Sequence, residues 1–269
     1  MEKRRYAMRI AYEGGSFRGF QRQPGLPTVE EALLAALRPL GLSPRLEVAA
    51  RTDAGVHADA QVVSFSVRSD VEPDVLRAAV NRGTPPTLLC LAAWRADPSF
   101  HARASATSRT YRYLVGAPAP GELDGRAWSL PDERAFPGQV AVEPDGARMA
   151  EALAAAVGEH DFAGFARPGE QRGSVRTVTG IEVERASWAP LWSITISGRG
   201  FLRAQVRNLV GTAVTVGVGL APTTRIAEIL RDRGRYRGVR APAWGLTLIA
   251  VIYPPALGPP LPGAGVVAG

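Results

Sequence analysis

The order of the periodic segments is the feature that most constrains the fold of this 269-residue chain. Apolar residues alternate along the first segment, which predicts a half-buried strand, because successive side chains of a strand point to opposite faces. A capping-box pattern begins at Thr28 and predicts a helix that Gly41 ends. The segments of this half are a strand at 6–12, that helix, strands at 46–50 and 62–67, a helix from Pro73 and a strand at 88–94. Their order, β-α-β-β-α-β, is typical of the ferredoxin-like unit.

The second half repeats this order with one additional helix. Its segments are a strand at 109–115, a helix at 145–157, strands at 175–185 and 191–197, helices at 201–218 and 224–231, and a strand at 244–253. A Pro- and Gly-rich connection at 116–144 interrupts it. We therefore predict an α+β protein with two ferredoxin-like halves, at 1–108 and 109–253, followed by a mobile Pro/Gly-rich tail at 254–269.

The charge balance favours a polyanionic partner. The formal net charge is +7, the sequence pI is about 10.3, and all but one of the 32 lysine and arginine residues are arginine. Excess positive charge attracts nucleic acids, and arginine binds phosphate with two hydrogen bonds and stacks on bases. A GC-rich coding sequence would also explain the preference for arginine over lysine, but it does not explain the net surplus.

Several other classes of protein lack support in the sequence. No run of 18 apolar residues predicts a membrane helix, and the first residues lack the apolar segment of a signal peptide, so a cytoplasmic protein is expected. Cys90 lies in an apolar run and is expected to be a buried, unreactive thiol. The three histidines have no metal-ligand spacing, and no phosphate-binding or dinucleotide-binding glycine motif is present, so we expect neither a metal nor a cofactor.

The run Arg51-Thr52-Asp53-Ala54-Gly55 is the first candidate for chemistry. Arg51 and Asp53 are two residues apart, so an extended backbone would place both side chains on one side. A guanidinium there would orient the carboxylate, as a nucleophile or base requires. The small residues that follow would let a substrate approach closely. An ordinary turn, with Asp53 capping local amides and Arg51 in a surface ion pair, is the alternative.

Three further segments have the composition of an RNA contact. In the run at 100–113, Arg109 and Tyr111 are candidates for phosphate binding and base stacking; an exposed edge strand whose aromatic residues pack into the core is the alternative. Arg199, Arg203 and Arg207 are four residues apart and would share one face of the predicted helix if that helix begins early enough to include them; such a face would meet anions, and a solvated face is the alternative. The glycine-rich loop at 14–23 interleaves aromatic, basic and amide residues, with Phe17, Arg18 and Gln21 as candidate contacts; a plain surface loop is the alternative.

In this order, the motifs resemble the tRNA pseudouridine synthase A family. The run Arg51-Thr52-Asp53-Ala54-Gly55-Val56-His57 is the most specific of them, and similar motifs extend over about residues 6–253. The others are the loop at 15–23, Asn81, the run at 100–113, Asp161-Phe162-Ala163-Gly164-Phe165, Phe201, Arg207-Asn208-Leu209-Val210-Gly211 and Trp244-Gly245-Leu246. The sequence departs from the family at Phe20, where tryptophan is common, and at 82–85, and these departures concern loop detail.

The resemblance implies an activity, an assembly and a site. The family isomerises uridine to pseudouridine at positions 38 to 40 of the tRNA anticodon stem-loop, without a metal or organic cofactor. Its members are homodimers, in which two ferredoxin-like halves join into one mixed, mainly antiparallel sheet with helices on one side and a central cleft. The motif match makes Asp53 the nucleophile, Arg51 its ion-pair partner, Tyr111 the stacking residue and Arg207 a basic residue near Asp53. We expect further substrate contacts from Arg109, Arg203, Phe17, Arg18, Gln21 and His57.

Two other functions are compatible with parts of the sequence. A non-catalytic RNA-binding protein with two RRM-like halves would need paired aromatic residues on central strands, and no such motif is found. An aspartate-dependent nucleoside hydrolase would need a second carboxylate for acid–base chemistry, and none is paired with Asp53 in the sequence.

Overall fold

A computed structural model describes residues 3–116, 125–132, 134–136, 143–167, 173–232 and 239–258. Within these ranges, ten strands form one mixed sheet that five α-helices accompany, so the α+β class is confirmed. Much of the expected connection at 116–144 and most of the expected tail at 254–269 lie outside the described residues. No helix in the described ranges is long and apolar enough to cross a bilayer.

The element boundaries follow local signals. Thr28 caps the first helix by accepting a hydrogen bond from the Glu31 amide, and Asp145 caps the third by accepting two. The helices are α1 (Val29–Leu37), α2 (Pro73–Gly83), α3 (Gly146–Ala154), α4 (Gln205–Gly217) and α5 (Arg225–Arg231). The strands are β1 (Arg4–Tyr12), β2 (Glu47–Val48), β3 (His57–Val67), β4 (Leu88–Arg95), β5 (Ser108–Gly116), β6 (Trp128–Ser129), β7 (Gly158–Asp161), β8 (Val175–Arg185), β9 (Leu191–Gly198) and β10 (Leu246–Ile252).

The last strand of the described chain lies near the middle of the sheet. The strand order is β4-β1-β3-β10-β5-β9-β8-β7, with β2 beside β3 and β6 beside β5. β10 runs parallel to β3, with Thr247 opposite His57, and antiparallel to β5, with Leu248 opposite Tyr111. Because Asp53 lies in the loop that leads into β3, this pairing brings it next to β10 and β5.

The main core lies on one face of the sheet. Directly paired residues of neighbouring strands share a face, as Tyr6 does with Phe65 and Tyr113 with Ile194. These residues belong to one buried cluster to which all five helices contribute, through Leu33, Leu76, Leu153, Leu209 and Ile229. A smaller cluster covers the other face of β1 and β3; it consists of Ala7, Ala49, Val62, Trp94, Phe100, Ala102 and Tyr253.

Several predicted elements have different boundaries in the structure, among them α4, β3 and β2. α4 begins at Gln205 and not at residue 201, because Ala204 adopts a left-handed conformation, with φ of 64°, that a helix cannot include. β3 begins at His57, five residues before its predicted start. Its first residues include His57 and Gln61, which are polar but buried, and they interrupt the apolar pattern that marks a strand in the sequence. β2 is reduced to two residues beside β3.

Candidate active site

A cleft of about 1650 Å³ opens beside the junction of β3, β10 and β5. Segments from the whole length of the described chain line it: loops at 18–23 and 49–54, the segments at 101–106 and 199–207, and residues of β5, β8 and β10. The two sequence halves therefore both contribute to one concave site. Such a site, with several charged groups converging on it, is the usual form of a substrate-binding cleft.

Close backbone packing places Asp53 in this cleft. Gly55 has a φ of 84°, and a Cβ there would lie 3.1 Å from the Ala243 Cβ, so the turn both requires and accommodates glycine. A Cβ at Gly14 would lie 2.4 Å from the Val56 carbonyl carbon, so the loop at 14–16 presses directly on the same turn. The Phe20 amide also donates to the Thr52 carbonyl at 3.1 Å.

Two arginines from the second half hold the Asp53 carboxylate. Arg203 Nε lies 3.1 Å from Oδ1, and Arg207 Nη1 lies 3.4 Å from Oδ2. The Asp53 side chain is 24% exposed, compared with 51% for Arg203 and 15% for Arg207. Both carboxylate oxygens therefore have a cationic partner, and one side of the group remains open to the cleft.

Arg207 is the more firmly fixed of the two arginines. Its Nε donates to the Ala241 carbonyl at 2.8 Å, and its own carbonyl accepts from the Ala241 amide at 3.0 Å. Burial lowers the pKa of Arg207, and the neighbouring Asp53 opposes this effect. A guanidinium stays charged in proteins, so a fixed cation lies beside the carboxylate.

The predicted pair of Arg51 with Asp53 is wrong. Arg51 is exposed and lines the cleft, whereas the ion pairs that the described residues give Asp53 involve Arg203 and Arg207. The spacing assumed a regular extended strand from 51 to 53, but these residues belong to an irregular loop. The predicted common helical face for Arg203 and Arg207 is also wrong, since Arg203 precedes α4, although both side chains still reach Asp53.

Ala204 separates these two arginines by an unusual backbone conformation. A left-handed φ in a non-glycine residue costs on the order of 1–3 kcal/mol and persists only where its surroundings enforce it. The neighbouring Gln205 is buried and its Oε1 accepts from the Leu202 amide at 2.8 Å, which stabilises the bend. The bend directs Arg203 into the cleft, and Arg207 enters the cleft from the first turn of α4.

Tyr111 is a buried aromatic residue at the cleft. It lies in β5 as part of the main core and also lines the cleft. The Phe201 ring packs edge-on against it, with centroids 5.5 Å apart and an interplanar angle of 82°. Burial raises the pKa of Tyr111, so its hydroxyl stays protonated. The ring is a rigid aromatic wall close to Asp53.

Arg109 lines the cleft, but backbone carbonyls hold its guanidinium. It is buried, and its five N–H groups donate to four backbone carbonyls: those of Ala49, Arg103, Ala106 and Arg199. A guanidinium has five N–H donors, so none remains for a phosphate. The alternation of arginine and tyrosine could not distinguish this use from RNA binding.

Of the other predicted substrate contacts, Arg18 and Gln21 line the cleft, but Phe17 and His57 do not. The buried Phe17 packs edge-on against Tyr12, with ring centroids 6.2 Å apart. His57 Nδ1 accepts from the Gly14 amide at 3.2 Å, and Nε2 donates to the Gly125 carbonyl at 2.7 Å. Both residues therefore fix the loops around the site and lie outside the cleft lining.

We expect His57 to make stability depend on pH. Burial lowers its pKa, and Arg126 acts in the same direction, whereas the bond to Gly125 and the carboxylates of Glu13 and Asp59 oppose this. The unfolded chain takes up a proton near a pH of about 6.5, which the folded His57 resists. Stability from this residue is therefore present above that pH and is lost as the pH falls.

The melting temperature measures this effect. When the pH is lowered from about 7.5 to about 5.5, the melting temperature of the wild type should fall further than that of His57→Gln, because glutamine does not titrate. Equal losses in the two proteins would show that His57 carries no such linkage.

The cleft lining also contains residues outside the predicted substrate contacts. His101, Arg103, Arg176 and Arg199 line the cleft together with Arg51. Arg103 and Arg199 lie in segments whose charge was noted, but their direction depends on the irregular backbone around them. Arg176 is an isolated arginine in β8, and no local signal marks it. The described residues contain no group of three or more His, Cys, Asp or Glu side chains able to hold a metal ion.

Comparison with known proteins assigns the family. A model described as tRNA pseudouridine synthase matches residues 152–254. The tRNA pseudouridine synthase A of Methylacidiphilum infernorum is 39% identical over 93% of this chain and 96% of its own length. The corresponding proteins of Cereibacter sphaeroides and Streptococcus equi are 38% and 35% identical, over 93% of this chain and 96% and 98% of theirs. Among solved structures, a Cbf5-Nop10-Gar1 complex matches 79% of this chain and 45% of that chain at 11% identity, with a TM-score of 0.34.

The chain belongs to the tRNA pseudouridine synthase A family and is accordingly a pseudouridine synthase, an isomerase that acts on tRNA.

Proposed function

We propose that this enzyme isomerises uridines at positions 38 to 40 of the tRNA anticodon stem-loop, with Asp53 as the catalytic nucleophile. The observation that carries the proposal is the position of the carboxylate, which lies in the cleft between two guanidinium groups and near an aromatic wall. A carboxylate oriented in this way is available to a substrate that enters the open side of the cleft.

The reaction needs few chemical groups. The bond from N1 of uracil to C1′ of the ribose breaks, the base turns, C5 bonds to C1′, and the proton on C5 is released while N1 gains one. Substrate and product are isomers, so no energy source is required. Asp53 serves by attacking C1′ or C6, or by removing a sugar proton.

We assign the neighbouring residues complementary parts. The target base must leave its stack to reach a half-buried carboxylate within the cleft, and the Tyr111 ring offers an apolar surface that offsets part of that cost. Arg207 and Arg203 orient Asp53 between turnovers. The cationic residues along the cleft are suited to the phosphates of the stem-loop; they are Arg18, Arg22, Arg51, Arg103, Arg176 and Arg199. Contacts to the backbone would tolerate different sequences around neighbouring target uridines.

We further infer that the two halves are related ferredoxin-like units, at 1–108 and 109–253. Sheet order supports this: the first half runs β4-β1-β3-β2 and the second β10-β5-β9-β8, which is the same arrangement of equivalent strands. The cleft lies where the units meet, and Asp53 comes from one while both of its partners come from the other. A cytoplasmic homodimer is part of the same proposal.

Mapping pseudouridine in tRNA tests the proposed target. The purified protein is incubated with unmodified tRNA transcripts that carry uridine at 38, 39 or 40, and each pseudouridine is located by carbodiimide labelling and primer extension. We expect new pseudouridine at these positions and none in transcripts whose only anticodon-arm change replaces those uridines with cytidine. Modification confined to another arm of the tRNA would contradict the proposed target.

A further inference from the structure

The loop that carries Asp53 has no regular secondary structure of its own. Between β2 and β3, residues 51–53 form neither helix nor strand, and a turn follows at 54–55. A shift of about 1 Å in a reacting group costs on the order of a hundredfold in rate, so an irregular loop with a catalytic residue needs external support. The two arginines fix the carboxylate, but they do not fix the backbone beneath it.

Gln61 supports the beginning of this loop. Its side chain is completely buried in β3, at the point where the register of β1 and β3 shifts. Its Oε1 accepts from the Ala50 amide at 3.2 Å, and its Nε2 donates to the Ala50 carbonyl at 2.7 Å. The side-chain amide thus replaces the neighbouring strand that Ala50 would need to satisfy both of its backbone groups.

Tyr12 supports the residue that precedes Asp53. Its hydroxyl oxygen lies 2.7 Å from Thr52 Oγ1, and Gln61 Nε2 donates to it at 3.4 Å. Tyr12, Thr52 and Gln61 are all buried. Burial raises the pKa of Tyr12 to about 12, so the hydroxyl remains protonated throughout the range of an activity assay. The three side chains form one connected network under the loop.

We propose that Tyr12 and Gln61 are positioning residues, which act on catalysis by holding the backbone on both sides of Arg51 and so fixing Asp53. Neither residue belongs to the lining of the cleft, so their effect passes through the loop and not through contact with RNA. The inference rests on the proposed catalytic role of Asp53. It predicts a loss of turnover without a loss of tRNA affinity.

Tyr12→Phe tests the inference, and Tyr6→Phe is its matched control. Both tyrosines lie in β1 and are buried, but the Tyr6 hydroxyl bonds to Asp70 and to the Val71 amide, away from the site. Each substitution removes one hydroxyl and keeps the ring. Loss of one hydrogen bond that orients the loop should lower the single-turnover rate of Tyr12→Phe about tenfold, with an unchanged dissociation constant for tRNA. Tyr6→Phe should match wild type in both, although both variants lose similar thermal stability.

A double-mutant cycle shows whether the network acts as a unit. Thr52→Val should lower the rate by a similar factor, and the double variant Tyr12→Phe/Thr52→Val should lose no more than either single one. Gln61→Met removes the side-chain partners of the Ala50 amide and carbonyl, so it should lower the single-turnover rate at least as much as Tyr12→Phe.

Asp53→Asn is measured in the same assay, so that failure of the positioning role can be distinguished from failure of the catalytic role of Asp53. If Asp53→Asn is inactive while Tyr12→Phe turns over at the wild-type rate, the positioning role is overturned and the role of Asp53 stands. Equal rate losses in Tyr6→Phe and Tyr12→Phe, or a rate loss explained by weaker tRNA binding, would also overturn it. Activity in Asp53→Asn would remove the foundation of both.

Discussion

Replacing Arg207 with alanine is expected to lower turnover by about a hundredfold, the loss typical of removing one preorganised charged group from an active site. Arg207 is the less exposed of the two arginines that contact Asp53, and its Nε donates to the Ala241 carbonyl, so its guanidinium has a fixed position beside the carboxylate. Arg207→Lys should recover only part of the loss, because an ammonium lacks the planar fork that serves Ala241 and Asp53 together. Single-turnover rates with saturating enzyme separate this effect from tRNA binding.

Two other arginines serve as comparisons for Arg207. Arg203 is half exposed, so solvent screens its charge. Arg203→Ala should therefore lower the rate only about tenfold, a loss about ten times smaller than that of Arg207→Ala. Arg112 pairs with Asp59 at 3.5 Å and does not line the cleft, so Arg112→Ala should react like wild type. Equal rate losses in all three variants, or no loss in Arg207→Ala, would contradict the assigned geometry.

The periodicity of the sequence accounts for most of the fold. Alternation along β1 and the capping residues of α1 and α3 are local signals, and the structure follows them closely. The start of β3 was missed because buried His57 and Gln61 read as exposed polar residues in a pattern of hydrophobicity. Their burial depends on hydrogen bonds to Gly14 and Ala50, which a pattern of apolar residues does not encode.

The site was predictable in its central residue but not in its partners. Asp53 stands out because small residues follow it in a specific motif. Its arginine partners come from 150 residues away or more, whereas sequence proximity favoured Arg51. For Arg109, charge alone does not reveal that backbone carbonyls receive its hydrogen bonds. Long-range pairing and the direction of side chains in irregular loops decide these roles.

Asp53→Asn is expected to abolish isomerisation, with a rate loss of at least about a thousandfold, because an amide cannot act as a nucleophile or base. The substitution preserves the shape of the side chain and removes one negative charge from the cationic cleft. Affinity for tRNA should therefore stay equal or increase, since phosphates meet less repulsion. Asp59→Asn is the matched control: this aspartate lies in the adjacent strand β3, pairs with Arg112 and does not line the cleft.

Release of tritium from tRNA labelled at C5 of uridine measures the central step most directly, because the C5 proton leaves only when C5 bonds to C1′. We predict that wild type and Asp59→Asn release tritium at similar rates, and that Asp53→Asn releases none above background while it still binds the same tRNA. Wild-type release by Asp53→Asn would contradict the assignment of the cleft carboxylate as the group that attacks the substrate.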